Sequence, residues 1–243
     1  MTDFIQACIQ ANEEISQVIK DSFDITWFEK TKIGAGGDVS SKFDLMAEAI
    51  FVKHLGSFGQ IESEESGLIG EGQDNIIIDP IDGSSNALSL FPYFGTSVAK
   101  VNADGLLDAA IVCNLSNSDV FFTSKGKEVH QGKLFSKQYH SPYTVPYSEI
   151  GLFEKAYQNS SLVKLLHDEG LKFRAPGAIA LSLAYARTVK YVLFMGKFRI
   201  YDFAAGLALC EGLEVIVEED YVIVSKEKKI ADKIEQLIKE NNV

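Results

Sequence analysis

The sequence predicts an α+β fold, a largely antiparallel sheet with helices packed outside it. Three observations carry that prediction. Helix-period segments open and close the chain, short β-rich runs fill its middle, and 46% of the 243 residues are hydrophobic, enough for one large domain or two closely packed halves. The runs are "GQIES", "NIIID", "GTSVAKV", "LDAAIVC" and "DVFFTS", and the Gly, Asn, Asp and Ser between them suit hairpins better than a repeating strand-helix-strand unit.

Taken in order, Phe4, Cys8, Ala11, Ile15 and Val18 recur at steps of three and four, so the first twenty residues form an amphipathic helix behind a Thr2 cap. A second helix follows at about 41 to 55, and the glycine-rich turn "KIGAGGDVSSKFD" delivers Asp38 and Asp44 towards it. That turn has neither the GxGxxG nor the GxxxxGKS spacing of nucleotide loops. After the β-rich middle comes a polar stretch at 125 to 147, and a new half starts near 140. There, "LKFRA" and "YVLFM" are strands flanking a helix at about 178 to 188. "YDFAAGLALCEG" is a helix opened by Asp202, "EVIVEEDYVIVS" is two strands around an acidic turn, and a charged helix runs from about 226. No internal repeat or low-complexity segment is present.

The formal net charge of -11 argues against a broad nucleic-acid or anionic-membrane surface, which needs clustered Lys and Arg. Cys8, Cys113 and Cys210 are odd in number and in no CxxC arrangement, so reduced thiols are expected rather than a disulfide framework or a zinc site. Asp3, Glu13 and Glu14 stand where a signal peptide would be basic and apolar, and no later apolar run reaches the ~18 residues of a membrane span. The expectation is a soluble cytoplasmic chain.

The chemistry concentrates in "IIIDPIDGSSNAL", residues 76 to 88. Its β-branched run is a buried strand that places Asp79 at the strand end, where Pro80 stops the ladder. Asp82, Gly83, Ser84 and Ser85 then turn into a helix whose first N-H groups have no internal partner. This is an anion site beside two carboxylates. A phosphate and two carboxylates repel one another unless a cation lies between them, which implies hard divalent ions, with Mg2+ expected. The plainer reading, in which Asp82 caps a helix and Asp79 is a turn residue, is as good for this stretch alone. "QIESEESG" places Glu64 and Glu65 after another strand, and "YDFAAG" places Asp202 after a third, so acids gather at three such places.

"ESEESG", "IIIDPIDGSSN" and "YDFAAG", in that order, resemble the three signatures of the inositol monophosphatase superfamily over almost the whole chain. "GGDVSSKFD", and DPIDGS in place of DPIDGT, are similar to the archaeal-type branch acting on both inositol monophosphate and fructose 1,6-bisphosphate. A haloacid-dehalogenase reading fails, because the partner position two residues before Asp82 is Pro80, which is no nucleophile. The resemblance implies a layered α-β-α-β-α sandwich in which halves 1–139 and 140–243 pack as one catalytic unit. It implies two or three Mg2+ held by Glu64, Asp79, the Ile81 carbonyl, Asp82 and Asp202, with phosphate on the amides of Gly83, Ser84 and Ser85. Hydrolysis would proceed by direct attack of a metal-activated water. Asp44 and Ser84, matching a family Asp and Thr, would orient that water beside Glu64, and Glu65 is a supporting acid. Asp82 and Asp202 also face substrate, and Gly177 lets backbone approach the sugar ring. Inhibition by Li+ and a homodimer belong to the same picture.

Two departures bear on the substrate. Seven residues before Asp202, where the inositol phosphatases place a Glu, stands Met195, and Tyr201 replaces the usual Trp. Lys197 and Arg199 follow Met195 and could hold a second phosphate, or be solvated strand-end residues. The alternatives are a 3'-phosphoadenosine-phosphate nucleotidase and a regulatory, protein-binding member of the fold.

Overall fold

The computed structural model describes residues 1–21, 24–37 and 39–241; Asp38 lies outside them. The first part of the chain forms α1 (Asp3–Asp21), β1 (Lys30–Ile33), β2 (Val39–Ser41), α2 (Lys42–Leu55), β3 (Gln60–Ser63), β4 (Gly67–Ile69) and β5 (Asn75–Asp82). α3 (Ser84–Leu88), β6 (Gly95–Val101), β7 (Leu107–Asn114), β8 (Asp119–Ser124), β9 (His130–Lys133) and β10 (Tyr139–His140) follow. Then come β11 (Gly151–Glu154), α4 (Ser160–Asp168), β12 (Phe173–Arg174), α5 (Ile179–Ala184), β13 (Tyr191–Met195), α6 (Ile200–Ala208), β14 (Glu214–Val217), β15 (Tyr221–Ser225) and α7 (Lys228–Asn241).

Layers alternate through the molecule. α1 and α2 cover one face of an eight-stranded sheet, ordered β10-β9-β8-β7-β6-β5-β3-β4. α5 and α6 fill the space between its other face and a five-stranded sheet, ordered β12-β11-β13-β15-β14, and α4 and α7 close the far side. This is the α-β-α-β-α sandwich, and it explains the unbroken isoleucine run. Ile76 and Ile78 pack with α1 and α2, while Ile77 faces α5 and α6, so β5 is buried on both sides and needs no polar alternation. Replacing fully buried Ile78 by Ala is therefore expected to cost about 2–5 kcal/mol of stability in urea unfolding. Leu68→Ala, at a residue 65% exposed, should stay within about 0.5 kcal/mol.

The hairpin pattern holds from β5 through β10, all antiparallel. Parallel pairs occur where sequence spacing is long, at β3 with β5 and at β11 with both β12 and β13. Several expectations are corrected. β5 does not stop at Asp79 but runs to Asp82, pairing Asp79 with Ser97 and Asp82 with Gly95 across an irregularity in register. Pro80 sits in that irregularity, where its missing N-H breaks no ladder bond, and the Ile81 N-H donates to the Asp79 carboxylate at 3.0 Å. Asp202 does not cap α6; the cap residue is Arg199, and Asp202 lies in the first turn, where a negative charge suits the helix dipole. The helix expected at 178 to 188 is shorter, Ile179–Ala184. β1, β2, β4, β9, β10, β11 and α4 are additional elements. The Thr2 cap is present, its hydroxyl accepting from Ile5 N at 3.3 Å. Among the described residues no helix is long and apolar enough to cross a membrane, and all three cysteines are buried and unbridged.

Candidate active site

β5 delivers Asp79 and Asp82 to the floor of a cleft of about 680 Å³, which Glu64, Asp202 and the α3 turn also line. Carboxylate oxygens of Glu64, Asp79 and Asp202 lie within 4.8 Å of one another, and all three residues are buried. Burial holds the Asp79 carboxyl well above the usual carboxylate range, and the charges of Glu64, Asp82, Asp202 and Asp44 add to the shift. Asp82 stands outside this close triad. Burial raises its pKa too, but its carboxylate accepts the Leu181 N-H at 2.8 Å, which ties α5 to the site. A crowd of buried oxygen donors with no nitrogen or sulfur ligand suits a small hard dication. Ile81 lines the same floor.

At the end of β5 the chain turns at Gly83, whose φ of 87° is a left-handed conformation natural to glycine. A Cβ there would come 3.0 Å from Ala178 Cβ and 3.1 Å from the Tyr93 carbonyl oxygen, so space also demands glycine. Ser84, the first residue of α3, has its hydroxyl 2.8 Å from Asp44 Oδ1 and 2.9 Å from the Ile81 carbonyl oxygen. Asp44 is held in turn. Its Oδ2 accepts from the Ser41 N-H at 2.7 Å and the Ser41 hydroxyl at 2.6 Å, and the Asp44 N-H donates back to that hydroxyl at 3.3 Å, closing the capping box that starts α2.

The Glu64-Glu65 turn is fixed from two sides. Buried Glu48 on α2 accepts from the Ser63 hydroxyl, from the Ser66 N-H at 3.1 Å and from the Ser66 hydroxyl at 2.6 Å. From above, Gly36 N donates to the Glu64 carbonyl at 2.7 Å and Ala35 N to that of Glu65 at 3.2 Å. A Cβ on Gly36 would meet the Glu64 side chain at 2.5 Å, so the glycine-rich turn serves close approach over the acids. Glu48 escaped the sequence reading, although its place four residues after Asp44 on one helix was visible.

The second sheet supplies the facing wall. Glu154, at the end of β11, is 4% exposed and lines the cleft; it accepts from the Ser182 hydroxyl at 2.6 Å and the Gly177 N-H at 2.9 Å. Burial raises its pKa, against those hydrogen bonds. Gly177, at φ 85°, lies against the Asn86 side chain, and Asn86 Nδ2 donates to the carbonyls of Tyr93 and Pro176, both at 2.7 Å. Asn86 closes the motif "IIIDPIDGSSN" with no role assigned to it there, and Glu154 escapes the sequence reading, because nothing local separates it from ordinary polar residues.

Counting back from Asp202 reached Met195, but Met195 packs into the core shared with α4 and α7. Its neighbour Phe194 points the other way and lines the cleft, since side chains alternate along β13. Lys197 is exposed and is not among the lining residues. Arg199 lines the cleft but turns towards the acids: Nε and Nη2 donate to the two Asp202 oxygens at 2.7 and 3.0 Å, and Nη1 to Glu64 Oε1 at 2.8 Å. Two lysines line the cleft, exposed Lys30 at the start of β1 and half-buried Lys155 after β11.

The comparisons with known proteins agree with this geometry. The chain is 29% identical over 226 residues to a Methanothermobacter thermautotrophicus fructose-1,6-bisphosphatase/inositol-1-monophosphatase, covering 82% of this chain and 75% of that one. It is 26% identical over 247 residues to a Methanococcus maripaludis bifunctional NADP phosphatase/NAD kinase, covering 89% of this chain but 43% of that longer protein. A solved inositol monophosphatase-fructose 1,6-bisphosphatase superposes with a TM-score of 0.79 at 20% identity, over 98% of this chain and 100% of the other, a likeness of fold. The family model described as the inositol monophosphatase family matches residues 1–218. Fold, acidic centre and sequence match concur, and the chain belongs to the inositol monophosphatase family, a family of phosphatases.

Proposed function

We propose that this protein is a Mg2+-dependent phosphoric monoester hydrolase acting on a small sugar or cyclitol phosphate, with inositol 1-phosphate and fructose 1,6-bisphosphate as the substrates to test first. The observation that carries the reading is the buried triad Glu64, Asp79 and Asp202, with oxygens within 4.8 Å, beside a serine hydroxyl that is itself held by an aspartate. That arrangement favours catalysis over a purely regulatory, protein-binding role. Halves 1–139 and 140–243 would work as one cytoplasmic catalytic unit, in a homodimer.

Glu64, Asp79, Asp82, Asp202 and the Ile81 carbonyl would hold two or three Mg2+, which when bound supply Lewis-acid stabilisation of phosphoryl charge and lower the pKa of water. The chain's own residues do the rest. Gly83 presents the first amides of the turn to the phosphate, where Ser84 and Ser85 have no intrahelical acceptor. Ser84 gives its hydrogen to Asp44 Oδ1 and so offers its oxygen lone pairs to the proton of the attacking water. Asp44, fixed through its other oxygen by Ser41, keeps that hydroxyl aimed. Glu154 holds the Gly177 segment against the space where the leaving alcohol lies.

The experiment is phosphate release from inositol 1-phosphate, fructose 1,6-bisphosphate, NADP+ and 3'-phosphoadenosine 5'-phosphate, with Mg2+, with EDTA and with LiCl against NaCl. Hydrolysis should require Mg2+, fall in LiCl and favour the sugar or cyclitol phosphates. A strong preference for the adenosine phosphate would move the reading to the nucleotidase, and no metal-dependent release from any of them would end it.

A further inference from the structure

Among the residues lining the cleft, Lys155 has a built environment that the reaction as described does not use. It follows Glu154 at the end of β11 and adopts φ 60°, ψ 24°, the left-handed conformation that few non-glycine residues take. This kink turns a side chain at the end of a strand onto the cleft wall. Its ammonium lies over the Phe194 ring, 4.7 Å from the centroid, and that ring is fixed edge-on against Phe203 at 4.9 Å. Gly196 leaves the room for it: a Cβ there would come within 3.4 Å of Lys155 Nζ, and its φ of 136° is again a glycine conformation.

Among the described residues no carboxylate pairs with this charge. Both oxygens of adjacent Glu154 are occupied, by Ser182 and Gly177, and among the described residues Lys155 forms no ion pair. Arg199 instead directs its guanidinium at the acids of the centre, Asp202 and Glu64. A half-buried ammonium against an aromatic face, in a cleft otherwise crowded with acids, is placed to receive an anion. The triad and the α3 turn take the reacting phosphate, so the anion that reaches the 155–194 wall belongs to the leaving group.

We infer that Lys155 is the specificity-determining residue for the leaving group, selecting phosphomonoesters whose alcohol carries a second phosphate or pyrophosphate, and that it does so in place of Lys197. The inference rests on the phosphatase reading above. A phosphorylated sugar and a nucleotide share this chemistry, and the assay separates them.

The test compares kcat/KM for four substrates in the wild type, Lys155→Gln and Lys155→Arg, all loaded with Mg2+. Fructose 1,6-bisphosphate and NADP+ carry the second anionic group, inositol 1-phosphate lacks it, and p-nitrophenyl phosphate reports hydrolysis alone. Lys155→Gln should lose about ten- to a hundred-fold for the doubly anionic substrate the enzyme prefers, chiefly in KM, with a change of less than about threefold for the other two. Lys155→Arg should recover most of the loss. Lys155→Asn, which tolerates the left-handed backbone, repeats the test if Gln disturbs folding. Equal losses on all substrates, or none on the doubly anionic ones, would overturn the role of Lys155 while leaving the hydrolase intact. A wild type inert on p-nitrophenyl phosphate and on the others would overturn the phosphatase reading and this inference with it.

Discussion

Asp79→Asn, Asp82→Asn and Asp202→Asn are each expected to lower phosphate release at saturating Mg2+ by more than about a hundredfold, because each removes a charged ligand from a centre supplying several kcal/mol of transition-state stabilisation. Stability should move differently. In the folded chain the Asp79 carboxyl is pushed up, first by burial and then by its acidic neighbours, so the fold binds that proton more tightly than the unfolded chain does. Stability contributed by this group is therefore present at acid pH and lost as pH rises through the folded pKa. Asn removes the penalty. The melting temperature of Asp79→Asn in EDTA should exceed that of the wild type at neutral and alkaline pH, by about 2–4 °C per kcal/mol relieved, and converge with it in acid. Asp82→Asn should behave similarly, since an amide oxygen still accepts the Leu181 N-H. Asp202→Asn should gain least, because it also loses a two-point pair with Arg199. Melting curves in EDTA beside phosphate assays check both halves, and a well-folded Asp79→Asn variant with wild-type turnover would sink the assignment of the centre.

What the sequence disclosed and what it hid follow the range of the interactions involved. Ile76 to Ser85 is legible because strand, irregular end and turn are set by residues within ten positions of each other, and isoleucines against aspartates leave few ways to fold. The same locality makes Pro80 misleading. Proline removes one N-H, but whether a strand ends or bulges depends on the neighbour, and β6 continues the pairing as far as Gly95. Phe194 and Met195 show the limit more sharply. Which of two adjacent residues faces the cleft is a matter of parity along β13, fixed by its pairing with β11 and β15, so counting from Asp202 lands one residue off. Glu154 and Lys155 are hidden for the same reason, because they reach the site through the second sheet. β9 and β10 are short and polar, with no hydrophobic alternation to announce them. α4 did carry a signal, Leu162 and Leu166 one turn apart, within a stretch short enough to pass for loop.

Ser84→Ala is expected to reduce kcat by on the order of 10²–10⁴, with little change in KM or in melting temperature. The hydroxyl lies 2.8 Å from Asp44 and 2.9 Å from the Ile81 carbonyl, at the junction of the turn and the floor of the cleft. Without it, the attacking water loses the acceptor for its proton, while phosphate still meets the amides of the turn. Ser84→Thr keeps the hydroxyl and should keep most of the activity. Asp44→Asn is a less clean change, because Asp44 also closes the capping box of α2. Ser41→Ala separates the two roles: it removes the cap hydroxyl, which should cost about 0.5–2 kcal/mol in stability, yet leaves Asp44 Oδ1 on Ser84 and kcat within about tenfold. If kcat follows stability across Ser41→Ala, Asp44→Asn and Ser84→Ala, the three residues only brace the turn. If Ser84→Ala falls far below the other two at unchanged stability, and Thr restores it, the hydroxyl handles the proton. Steady-state kinetics on one preferred substrate, paired with urea unfolding of each variant, decides between them.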